Sequence, residues 1–155
     1  MLEIIIDLLK NKKELFTEYK NTILFMLECL PEEMVDCSAQ IVNLSVRIDA
    51  VDDEIKKQCH LLGEKGDEIL LDIKNKSDRN SICHERKQIF DISQSIYGII
   101  AGLESPMEQI KLKAKQNMND AMKKIEELTD TGKGIKYLKA VDSRFENGTF
   151  LNIKK

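Results

Sequence analysis

Residues 79–129 read RNSICHERKQIFDISQSIYGIIAGLESPMEQIKLKAKQNMNDAMKKIEELT, and the fold turns on how this stretch is read. Its apolar positions are Ile82, Ile89, Ile96, Ile100, Leu103, Met107, Ile110, Ala114, Met118, Ala121, Ile125 and Leu128. With Arg86 and Ser93 filling two polar slots in the same row, every step is three or four residues, the period of one face of an α-helix. The phase survives Pro106, since Leu103, Met107 and Ile110 keep the rhythm on both sides of it. The spacing therefore predicts one helical rod, bent or briefly broken at Gly102-Leu-Glu-Ser-Pro106. Ser105-Pro-Met-Glu108 also reads as a capping box with proline at the first helical position, so a restart of the helix competes with a kink. Unbroken, the rod would span roughly 75 Å at 1.5 Å per residue.

Upstream, the same rhythm predicts two more helices. The first runs from about Leu2 to Leu30, with Ile5, Leu8, Leu15, Tyr19, Ile23, Met26 and Leu30 on one face and Lys12 interrupting it. Pro31 ends that helix and, followed by Glu32 and Glu33, suits the first turn of the next, where a missing N–H costs nothing and acids meet the positive end of the dipole. The second helix carries Met34, Ile41, Leu44, Ile48, Val51, Ile55, Cys59 and Leu62. Gly63 and Gly66 weaken it, and a frayed or bent continuation through Ile69, Leu70 and Ile73 is expected to about Lys74. Asn75 to Asn80 is the predicted turn, with Ser77 or Asp78 capping the rod. The fold class is all-α, an elongated antiparallel bundle of three to four long helices over residues 1–130.

Composition suits narrow apolar stripes: 33% charged residues, 5% aromatic, no Trp and two Pro. Charge is unevenly divided. The net is −3, but from Asp130 onward six basic side chains face three acidic ones, so a basic tail follows an acidic rod. Without an overall basic excess, nucleic acid is not the expected partner. The first ten residues carry Glu3 and Asp7 and no basic lead-in, so neither a signal peptide nor a membrane span is expected, and the cytoplasm is the expected location. There the four cysteines, Cys29, Cys37, Cys59 and Cys83, are expected to act as reduced small hydrophobes.

Catalytic equipment is sparse. Gly132-Lys-Gly134 lacks the strand and spacing of a phosphate loop, and no Glu-x-x-His pair of a di-iron bundle occurs. The metal-like feature is a repeated Cys-His pair, Cys59-His60 and Cys83-His84. Helix neighbours point about 100° apart, so each pair is poorly placed to give two ligands to one ion, and no metal or cofactor is expected. No pocket or set of oxyanion donors is evident for a cysteine nucleophile, and the chain is not expected to be an enzyme. Met107, Met118 and Met122 crowd the second half of the rod, either as ordinary core or as an adaptable binding groove.

Three stretches carry a resemblance. Ile41-Val-Asn-Leu-Ser-Val-Arg-Ile-Asp-Ala-Val-Asp-Asp-Glu-Ile55, the helix from Met107 to Leu128 with Gln109, Asn117 and Asn119, and the ending Gly132-Lys-Gly-Ile-Lys-Tyr137 with Asn147-Gly-Thr-Phe-Leu-Asn-Ile-Lys-Lys155 resemble the small helical flagellar export chaperones of the FlgN and FliT type. Leu138 after Tyr137, and Leu151-Asn152-Ile153 before the last lysines, depart from that pattern. The resemblance implies a cytoplasmic chaperone that holds the amphipathic end of a hook-associated or filament-cap protein in a helical groove and delivers it to the export ATPase complex.

On that reading a client helix, anchored at i, i+3, i+4 and i+7, is expected on Met107, Ile110, Met118, Ala121, Met122, Ile125 and Leu128. The tail from residue 131, through Ile135, Tyr137, Leu138 and Val141, is then expected to regulate the groove, imitating the client when none is present. The competing expectation is a structural coiled-coil or adaptor subunit whose stripes pair with a second copy of itself as a homodimer.

Overall fold

The computed structural model describes residues 1–128, and these are all-α. The helices are α1 (Leu2–Glu28), α2 (Pro31–Leu61), α3 (Glu64–Ile73), α4 (His84–Ala101) and α5 (Glu104–Leu128), with a short 3-10 turn at Arg79–Ser81. They pack as a helical bundle, as the stripes predict, and no strand occurs among the described residues. Residues 129–155, with the expected regulatory positions Ile135, Tyr137, Leu138 and Val141, lie outside the described residues. The chain clusters into two compact units: Met1–Asn21 with Leu44–Leu103, and Thr22–Asn43 with the chain from Glu104 onward.

In the first unit α1 and α2 run antiparallel. Lys12 Nζ meets Asp52 Oδ1 at 2.6 Å, Glu18 meets Arg47 at 4.0 Å, and the Tyr19 hydroxyl bonds Ser45, so each step up one helix is a step down the other. Lys12, the polar interruption in the first stripe, thus has a structural reason: its ammonium also lies 5.9 Å from the Phe16 ring centroid, in reach of the π face. Ile5, Leu9, Leu15, Tyr19, Leu44, Ile55 and Cys59 are buried. Leu9 rather than Leu8 takes the core position, and Leu30 is exposed, because α1 has already ended at Glu28. Leu30 instead caps α2, with its N–H donating to Glu33 Oε2 at 2.9 Å, one half of a capping box.

The expected frayed continuation of the second helix is instead a sharp corner. α2 stops at Leu61 and α3 begins at Glu64, with Gly63 at φ 59°, ψ −132°, a conformation that side chains resist. Gly66 then donates its N–H to Gly63 O at 2.8 Å, and a Cβ at Gly66 would lie 1.7 Å from the Cys59 carbonyl oxygen. The two glycines let one backbone lie directly on another. α3 closes with Asn75 at φ 53°, where Lys76 N–H donates to Leu71 O and Asn75 N–H to Asp72 O, the paired bonds of a Schellman motif. The Asn75 amide also donates to Phe90 O of α4 at 3.2 Å, so the turn is tied to the next helix.

The rod predicted from Arg79 begins later and is cut in two. Asp78 caps only the 3-10 turn, accepting from Asn80 N at 3.1 Å and Ser81 Oγ at 2.7 Å, after which Ile82 and Cys83 are extended and α4 starts at His84. Those bonds hold the Asp78 carboxyl below the usual carboxylate range. Downstream, α4 ends at Ala101 and α5 restarts at Glu104, so Pro106 falls in a first turn, where no N–H partner is needed. Ser105 is inside this helix rather than its cap. Of the two polar slots in the stripe, the structure explains one. Arg86 grips the fully buried Asp72 with Nε at 2.6 Å and Nη2 at 3.0 Å while Nη1 meets Glu68 at 2.6 Å. Ser93 is buried with its hydroxyl unpaired among the described residues, and no structural reason for it emerges.

Candidate binding surface on helix α5

The second unit is built from the end of α1, the start of α2 and α5. Its core holds Ile23, Met26, Cys29, Met34, Cys37 and Ile41 from the first two and Met107 and Ile110 from the third. The last turn of α1 contains no basic residue, leaving its carbonyls without a local cation. α5 supplies one. Lys113 Nζ donates to Met26 O at 2.8 Å, Leu27 O at 3.0 Å and Cys29 O at 2.6 Å, matching its three protons to three carbonyls at the negative end of the dipole. One turn on, Asn117 Nδ2 donates to Met34 Sδ at 3.6 Å, a further tie between α5 and α2.

Beyond that anchor the burial of the stripe fades. Met107 and Ile110 are sealed within the chain's own core. Met118, Ala121, Met122 and Ile125 are half-buried, and Leu128 is 81% exposed. On α5 itself, Leu112 is also exposed. The seven expected contact residues therefore divide: two act as core, four present part of their side chains, and one stands in solvent.

No family model matches this chain, and neither a curated protein nor a solved structure does. The half-buried side chains are two thioethers, Met118 and Met122, beside the small Ala121 and the branched Ile125, and thioethers are unbranched and adaptable in packing.

The Cys-His pairs do not converge. Cys59 is buried while His60 is exposed, and among the described residues no three His, Cys, Asp or Glu side chains come together as metal ligands. The first unit does contain a groove, contrary to the expectation that none is evident. It encloses about 880 Å³ beside the start of α1, α3 and the start of α4, with Leu2, Ile6 and Ile69 among its apolar lining and Cys83 and His84 at its edge. Sequence spacing could not find it, because it forms where three separate helix segments meet. Lys113 was missed too, although the absence of a basic residue in the last turn of α1 was a usable signal.

Proposed function

We propose that the chain is an export chaperone of the flagellar type, which clasps the amphipathic end of a hook-associated or filament-cap protein and passes it to the export ATPase complex. The single observation that supports this most is the gradient along α5, from sealed Met107 and Ile110 to half-open Met118, Ala121, Met122 and Ile125 and exposed Leu128. A helix that only completed its own core would bury its stripe to the end. In this reading Met107 and Ile110 fix the helix in place, and the five later residues receive the client. The resemblance of residues 41–55 and of the tail motifs supports the flagellar assignment, and no described helix is long and apolar enough to cross a membrane. Binding is by surface contact, without catalysis or cofactor. The tail, with Ile135, Leu138 and Val141 spaced like client anchors, competes for the same face.

The test is calorimetric titration of the full chain with a peptide from the C-terminal segment of a flagellar hook-associated protein, repeated on the chain lacking residues 132–155. Saturable binding that tightens on deletion and is lost in Met118→Glu and Met122→Glu supports the proposal. No binding by either form, with the bundle still folded by circular dichroism, removes it. A stable dimer in sedimentation that ignores the peptide replaces it with the self-associating adaptor.

A further inference from the structure

α2 carries a second apolar row, which the described residues leave uncovered. Met34, Cys37, Ile41, Leu44 and Ile48 are buried and mark the side of α2 that packs in the bundle. Roughly 150° around the helix, at 3.6 residues per turn, Val35, Ala39, Val42 and Val46 repeat in steps of four, three and four, and all of them are exposed. Val35 is 62% exposed, Val42 37% and Val46 63%. α2 is one uninterrupted helix over Pro31–Leu61, so its own turn fixes this spacing. Apolar side chains scattered singly over a surface are ordinary, but a row in helical register on the side away from the buried one is the pattern of a helix covered on two sides. We propose that this row is a docking face for a basic amphipathic helix of another protein.

Charge selects that occupant. Between Lys20 and Arg47 the chain has no basic residue, while Glu28, Glu32, Glu33 and Asp36 are acidic and exposed. Glu33 is engaged by the Leu30 N–H, but neither Glu32 nor Asp36 has an ion-pair partner among the described residues. Lys113, which comes to this unit's α1–α2 corner from α5, is turned onto the Met26, Leu27 and Cys29 carbonyls. Lysine or arginine beside the apolar ridge of a partner helix would meet these acids, and such exposed pairs fix the choice of partner more than they add affinity. A second copy complements the face poorly, because it presents the same acids with Arg47 only at the far end of the row. The spacing itself calls for a helix, since side chains at i, i+4, i+7 and i+11 interdigitate with a ridge of the same period. The row shares no residue with the stripe on α5 and does not rest on the reading of that stripe.

The probe is an acetylated, amidated peptide with leucine at i, i+3, i+4 and i+7 and lysine elsewhere, titrated into the isotope-labelled full chain and followed by amide correlation NMR. Saturable shifts are expected at residues 32–46, with affinity falling about tenfold between about 0.05 M and about 0.3 M salt. Val35→Ser with Val42→Ser should weaken binding about tenfold or more, and Glu32→Gln with Asp36→Asn about threefold to tenfold, with the helical circular-dichroism signal unchanged. Should the serine pair lose that signal, the glutamine and asparagine pair alone decides. The same peptide with glutamate in place of lysine should not shift these residues, and Met118→Glu should leave the lysine peptide's shifts on α2 in place. Shifts that fall on α5 and spare α2, equal binding of the lysine and glutamate peptides, or an affinity that neither pair of substitutions changes overturns the proposal. A dimer in sedimentation that Val35→Ser with Val42→Ser dissociates gives the face to a second copy and overturns it as well.

Discussion

Lys113 Nζ lies 2.6 Å from the carbonyl oxygen of Cys29, 84 residues earlier in the chain, and it caps the end of α1 from α5. Three charge-assisted bonds join Lys113 to carbonyls at the end of α1, of which Met26 O otherwise accepts only from the Cys29 thiol at 3.6 Å. Lys113→Met keeps the length of the stem and removes the cation. Urea unfolding should show a loss of about 2–3 kcal/mol. A loss below about 0.5 kcal/mol would mean that water serves these carbonyls equally well.

In the first unit, Arg86 is the partner of a carboxylate with no exposure at all, Asp72. Arg86→Leu leaves that carboxylate buried and unpaired, which should cost about 3–5 kcal/mol. The double change Arg86→Leu with Asp72→Leu removes the stranded charge and should recover most of the loss. A double-mutant cycle by urea unfolding, with Asp72→Leu as the second single variant, measures the difference, and a double-variant loss equal to the sum of the two single losses would show that the pair is not coupled.

Three glycines should respond differently to alanine. At Gly66 a methyl group meets the Cys59 carbonyl oxygen at 1.7 Å, so α3 must move off α2 and the loss should exceed about 3 kcal/mol. At Gly63 the obstacle is the backbone, φ 59°, and the cost should be about 1–3 kcal/mol. Gly98 lies in α4 with nothing within 4 Å of an added Cβ, and there alanine should stabilise by about 0.5–1 kcal/mol. Thermal midpoints of the three variants, ranked in that order, check the packing of the corner.

Tyr19 gives a signal in alkali. Burial, only partly offset by the Ser45 hydrogen bond, raises its pKa from 10.0 to about 12. The folded state therefore holds the phenolic proton more tightly than the unfolded one. Its contribution is fully present below pH 10.0 and is lost as pH climbs towards about 12, a span worth roughly 2–3 kcal/mol. Ultraviolet titration should show one of the three tyrosines ionising late and together with unfolding. Tyr19→Phe should flatten the stability profile over this range.

The helices were legible because burial follows the period of the sequence. Ile89, Ile96, Leu103, Met107 and Ile110 are buried where the stripe puts them. The misreadings occur where a local bond overrides that period. Asp78 spends its cap on one 3-10 turn, which delays α4 to His84, and Gly63 turns a weakened helix into a corner. Arg86 looked like a gap in the row, yet it is matched to Asp72 on a different helix. Which face of α5 is sealed and which stays open was not legible, because that depends on how far the shorter segments of α1 and α2 accompany it. Periodicity gives a helix its apolar side, but not the length over which a neighbour covers it.

Lys113 has a bearing on the order in which the molecule can be completed during synthesis. A nascent chain that has left the ribosome as far as residue 100 holds all of α1 and α2, yet the ammonium that finishes the end of α1 is still unmade. The end of α1 must wait for α5, and any fragment stopped short of residue 113 carries three carbonyls in search of a cation.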